Sequence, residues 1–141
     1  MKKIILFASA MLSLNAFAQN INESKVPAEA KKTFSVSFPL ASAVKWENEK
    51  GSYEANFIVK GNKMSALLNQ QGTWLETERT IAVNNLPKDA QEYVRKNAKE
   101  KVQEVSEIKK ANNEISYEAH MSKGADLMFN AQGKYLKAEK D

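Results

Sequence analysis

The chain has 141 residues, the size of one ordinary domain, and is 43% hydrophobic and 27% charged with five glycines and three prolines, a globular composition rather than a disordered or collagenous one. The absence of cysteine excludes disulfides, thiolate catalysis and cysteine zinc sites, and the single histidine leaves little for the usual zinc or acyl-transfer chemistry. The net charge of +4 points toward a polyanion or a membrane surface, but part of that excess sits at the extreme N-terminus.

Lys2 and Lys3 precede an apolar stretch from Ile4 to Leu14, and Ala16-Phe17-Ala18 supplies the small-x-small pattern read by signal peptidases. The apolar run is shorter than the roughly 20 residues of a spanning helix, so residues 1–18 are expected to be a signal peptide. Its removal takes two lysines, leaving 19 basic against 17 acidic residues, a net charge of +2. No second run approaches membrane length. The expected location is therefore periplasmic or secreted, with no membrane insertion after cleavage and no nucleic-acid partner. Residues 19–25 read as a flexible lead.

The remainder reads as one unit written twice, over residues 26–85 and 86–141. Val26-Pro27-Ala28-Glu29-Ala30 corresponds to Leu86-Pro87-Lys88-Asp89-Ala90, Tyr53-Glu54-Ala55 to Tyr117-Glu118-Ala119, and Asn69-Gln70-Gln71-Gly72-Thr73-Trp74-Leu75 to Asn130-Ala131-Gln132-Gly133-Lys134-Tyr135-Leu136. Two copies are too few for a solenoid, so a pseudo-symmetric domain is expected. Each copy opens with a helix: Pro27 and Pro87 suit the first helical position, and Val26, Ala30, Phe34 and Phe38, like Leu86, Ala90 and Val94 with Tyr93, form one apolar stripe.

Strands are expected at about 42–48, 52–60, 63–69 and 73–79, and again at 101–110, 114–122, 126–130 and 134–139. A two-residue turn at Gly61-Asn62 would pair Val59 with Met64, Phe57 with Ala66 and Ala55 with Leu68, and a four-residue turn at 69–72 would pair Leu67 with Trp74. Tyr53, Ala55, Phe57, Val59, Met64, Ala66, Leu68 and Leu75 then share the helix-covered face, joined by Val44 and Trp46. In the second copy a loop of Lys123-Gly124-Ala125 would pair Met121 with Leu127 and Ala119 with Phe129; the alternative two-residue loop would place Asp126 in the core. The fold class is thus α+β, a tandem helix-plus-four-strand unit joined into one eight-stranded antiparallel sheet with both helices on one face.

Two V/L-P-x-x-A helices, Lys45-Trp46-Glu47, the repeated Tyr-Glu-Ala strand and Gly72-Thr73-Trp74-Leu75-Glu76-Thr77-Glu78 resemble the PepSY-like family of exported proteins of Bacteroidetes type, which is similar in fold to the beta-lactamase-inhibitor protein. The second copy departs from that pattern, with Ile108 at the place of the first-strand tryptophan. The resemblance implies helices on one surface, a sheet face free to bind a partner, and a role in restraining an enzyme such as a protease.

The candidate partner site is an outward row of Asn56, Ile58, Leu67 and Trp74 in the first copy and His120, Met128 and Tyr135 in the second, large stiff side chains on an otherwise polar sheet. Glu54, Glu76, Glu78 and Glu118 share that face and read as solvated strand charges, while Lys88, Arg95, Lys96, Lys99 and Lys101 read as a solvated helix face. No catalytic constellation, metal site or cofactor motif is present in the sequence. The expectation is a non-enzymatic module that binds an unidentified envelope or extracellular protein; the alternative is a carrier of an apolar small molecule held between sheet and helices.

Overall fold

The computed structural model describes residues 19–140; the expected signal peptide, residues 1–18, lies outside the described residues. Strands β1 (Gln19–Ile21), β2 (Ser42–Glu49), β3 (Ser52–Val59), β4 (Asn62–Leu68), β5 (Trp74–Ile81), β6 (Val102–Lys110), β7 (Ile115–Met121), β8 (Asp126–Asn130) and β9 (Tyr135–Glu139) alternate with helices α1 (Ala28–Ser37) and α2 (Lys88–Asn97). All nine strands form one antiparallel sheet whose spatial order is the chain order.

The sheet has one strand more than the eight expected, because the supposed flexible lead contributes β1. Gln19 pairs with Asn48 and Ile21 with Trp46, and Ile21 packs against the first core. A single apolar residue in three carries no alternation, which is why the segment gives no strand signal. Ile81 stands to Val105 at the β5–β6 seam as Ile21 stands to Trp46. A short 3-10 turn then leads into each helix, at Glu23–Lys25 and Val83–Asn85.

Pro27 and Pro87 sit at the N-cap, one position before the helix proper, with the acidic Glu29 and Asp89 in the positive first turn. α1 buries Ala30 and Phe34 against Trp46, Ala55, Phe57, Ala66 and Leu68. Phe34 meets Trp46 and Phe57 edge-to-face, at centroid distances of 5.2 and 5.0 Å, an arrangement that adds to burial alone. α2 buries Leu86 and Ala90 against Val105, Ala119, Met121 and Phe129.

Val105 faces Ala119 as Trp46 faces Ala55, so Val105, not Ile108, occupies the tryptophan's place. Ile108 lies on the opposite face, yet is only 7% exposed. Val44 is also outside the expected core: a bulge between Ser42 and Lys45, with Ala43 at φ 53°, turns it to solvent.

Each helix is seated on the turn that closes its own half. Gly72 (φ 77°) lies against the first turn of α1, where a Cβ would come 2.6 Å from the Glu29 carbonyl oxygen. Gly133 (φ 86°) lies in the same way against α2, where a Cβ would come 2.6 Å from Pro87 Cβ. The Thr33 hydroxyl donates to the Gly72 carbonyl at 2.7 Å, fastening α1 to its turn.

Candidate binding faces

Because cross-strand partners share a face, the registers define what the helices leave uncovered. One row across the open face reads Glu47, Glu54, Leu67, Glu76 and Lys110. The next reads Lys45, Asn56, Ser65, Glu78, Ile108, Ser116 and Asn130. A third carries Ser106, Glu118, Met128 and Lys137, and Glu104 pairs with His120 beyond it. A shallow depression of about 180 Å³ opens among Glu54, Ser65, Glu78 and Glu104.

The carboxylates of this face are not the solvated charges expected from the sequence. Glu76 is 8% exposed, and burial, reinforced by the neighbouring Glu78 charge and opposed by Lys110, pushes its carboxyl up to about 7. Burial also lifts Glu118 to about 8, helped by the charges of Glu78 and Asp126 and by its hydrogen bond to Asp126. Glu54 and Glu78 are raised by burial as well, but the Ser65 and Ser106 hydroxyls respectively work against the shift by bonding the ionised forms. Packing side chains of three adjacent strands over one another removes water from groups that alternation alone marks as exposed.

Asp126 is a second departure. The β7–β8 pairing is Ala119 with Leu127 and Tyr117 with Phe129, two residues from the expected register, so Met121, Leu127 and Phe129 keep their inward face. Asp126 is nevertheless 3% exposed. Its carboxylate accepts from the Met121 backbone N–H at 2.8 Å and lies 2.6 Å from His120 Nδ1. This local partnering is what makes a buried carboxylate tolerable. His120 is half-buried over Asp126.

Of the candidate site residues, Asn56, Ile58, Leu67, Met128 and His120 lie on the open face. Trp74 and Tyr135 do not. A bulge between Leu67 and Leu68 pairs Trp74 with the core residue Leu68 instead of Leu67, and a bulge between Met128 and Phe129 pairs Tyr135 with Phe129. One extra residue reverses the face. Tyr135 therefore stacks on Tyr93 of α2 with centroids 4.4 Å apart and planes 7° from parallel. Trp74 donates its indole N–H to the Thr77 hydroxyl at 2.6 Å on the helix side. Sequence reasoning missed Ile108, Ser106 and Asp126 as members of the open face; the β6 and β7 registers were the information needed. Trp46 is core as expected, at 5% exposure, and Lys88, Arg95, Lys96, Lys99 and Lys101 are exposed. Among the described residues no group of three or more side chains is placed to hold a metal ion.

Over residues 51–137 the sequence matches the model of a family described as beta-lactamase-inhibitor-like and PepSY-like. In fold, the chain is similar to a candidate periplasmic protein of Bacteroides eggerthii, with a TM-score of 0.74 at 15% identity over 81% of this chain and 88% of the other. It is also similar to a BLIP-like protein of Bacteroides fragilis, with a TM-score of 0.64 at 23% identity over 80% and 85% of the two chains. A DUF2874 family protein of Bacteroides ovatus gives a TM-score of 0.67 at 23% identity over 80% and 86%. No curated protein matches the chain.

Proposed function

This chain belongs to the beta-lactamase-inhibitor-like, PepSY-like family, and from that membership we propose that it is an exported, non-enzymatic module that engages a protein partner through the open face of its sheet. The observation that carries the reading is the asymmetry of the sheet. Both helices pack on one side, while the other side keeps Ile58, Leu67 and Met128 among carboxylates held away from water. An apolar-and-acidic face of this kind gains from a partner that covers the apolar groups and supplies cations to the carboxylates.

Export is favoured by the basic, then apolar, then Ala16-Phe17-Ala18 N-terminus and by the periplasmic description of the similar Bacteroides eggerthii protein. No helix among the described residues is long and apolar enough to cross a membrane. The family's beta-lactamase-inhibitor-like description favours an enzyme as the partner. The two halves are read as a tandem duplication, which accounts for the matching helix, turn-glycine and Tyr-Glu-Ala positions.

The test is photocrosslinking in the native envelope, with p-benzoylphenylalanine placed singly at Ile58 or Lys137 on the open face and at Lys32 on the exposed side of α1. Adducts to one common protein from the two sheet positions, and none from Lys32, are expected. Adducts from Lys32 alone, or from no position, would remove the open face from consideration.

A further inference from the structure

On the helix side the two halves treat the same spot differently. In the second, Tyr93 of α2 lies flat on Tyr135. In the first, the residue at the corresponding step after the helix proline is Thr33, and the one at the corresponding step after the turn glycine is Trp74. Thr33 has no ring, and its hydroxyl is already given to the Gly72 carbonyl. The indole of Trp74 is left half-buried, and with Phe38 and Met64 it walls a groove of about 400 Å³ beside the C-terminal end of α1. That volume falls in the range of roughly 300–1,000 Å³ typical of small-molecule sites.

The opposite rim is charged and unevenly so. Arg79 Nη2 lies 2.9 Å from Glu107 Oε1, and Glu107 also accepts from the Tyr117 hydroxyl, so that carboxylate is neutralised in place. Lys109 has the uncharged Thr77 and Ile115 as its cross-strand neighbours and adds a second cation to the groove. The rim thus carries one positive charge in excess.

We propose that this groove binds a small molecule with a flat aromatic body and a single carboxylate. The aromatic body packs against Trp74, Phe38 and Met64, which wall the groove, and the carboxylate meets Lys109, with the remaining donors of Arg79 within the same rim. The site is on the opposite side of the sheet from the proposed partner face, so the two can succeed or fail separately.

The test uses 2-naphthoate as the probe, titrated at low salt into the purified protein by calorimetry, with the Trp74 indole N–H and Met64 methyl resonances followed by NMR. Saturable binding with shifts at those two groups is expected. Lys109→Gln, an exposed substitution, should weaken 2-naphthoate about tenfold and leave the neutral 2-naphthalenemethanol unchanged. Trp74→Leu should weaken both probes, and Tyr135→Leu neither. Absence of saturation at millimolar probe, indifference to Lys109→Gln, equal affinity for the neutral alcohol, or shifts confined to the open sheet face would each overturn the proposal.

Discussion

The two halves of the molecule share a backbone plan but distribute side-chain volume differently. In the first, strands and helix both supply aromatic bulk: Trp46 and Phe57 close around Phe34 of α1 and Phe38 at its end. In the second, Val105 stands in place of Trp46, Val94 and Ala98 stand at the steps of Phe34 and Phe38, and the helix aromatic is Tyr93, which packs on Phe129 and Tyr135. A core is filled to a fixed density, but which element supplies the atoms is free, provided each half compensates within itself. The half with the larger aromatic cluster is also the half with a groove between Phe38, Met64 and Trp74.

The sharpest way to break this comparison is to impose one half's choice on the other. Trp46→Val, which gives the first strand its counterpart's residue, should cost about 3–4 kcal/mol through the cavity it leaves, read as a drop in the urea midpoint. A loss below about 1 kcal/mol would mean that Trp46 is not the pillar of its core.

Gly72→Ala and Gly133→Ala test what the halves have in common. Each combines a left-handed backbone with a Cβ inside van der Waals contact of a helix start, and each should cost about 2–3 kcal/mol. Gly61→Ala has a similar φ of 82° and nothing within 4 Å, so about 1 kcal/mol is expected there. Equal losses at all three would show that the helix seating contributes nothing. Tyr93→Thr, which gives α2 the residue of α1, should cost about 1–2 kcal/mol, measured by thermal or urea unfolding, and should deepen the depression that Tyr93 and Tyr135 already border.

The smallest effect expected is electrostatic. Glu54 and Glu118 occupy the same place in the repeated Tyr-Glu-Ala strand, but Glu54 has the Ser65 hydroxyl beside it and Glu118 has the Asp126 carboxylate. A carboxyl raised in the folded state binds its proton more tightly there than in the unfolded chain. Its stabilisation is therefore complete below about pH 4.5 and is lost as pH rises toward about 8 for Glu118 and about 7 for Glu76. The urea midpoint should fall between pH 5 and pH 8.5. Glu118→Gln should flatten that slope more than Glu54→Gln; a slope unchanged by Glu118→Gln would refute the assignment.

What the sequence made legible depended on whether an error changed the face of a strand. The β3–β4 hairpin turns at Lys60-Gly61, both at positive φ, and pairs Phe57 with Met64 and Ala55 with Ala66, two residues from the expected register. A slip of two leaves every side chain on its face, so Ala55, Phe57, Ala66 and Leu68 are core in either register. The bulges at Leu75 and Leu136, just after Trp74 and Tyr135, are slips of one, and they put both aromatics on the helix side. Alternation carries no trace of a bulge, nor of the desolvation that neighbouring strands impose on Glu76 and Glu118. The burial of Asp126 depends on two partners, the Met121 N–H and His120, that no local rule brings together.

The order of the nine strands has a kinetic consequence. Among the described residues every strand hydrogen-bonds only to its neighbours along the chain, so none of these pairings waits for a distant segment, and the widest closures are those spanned by α1 and α2. Loop-closure entropy is therefore met in small instalments. A chain delivered N-terminus first can lay each strand on the one before it, and the first core is complete in sequence by Leu68, ahead of every strand of the second.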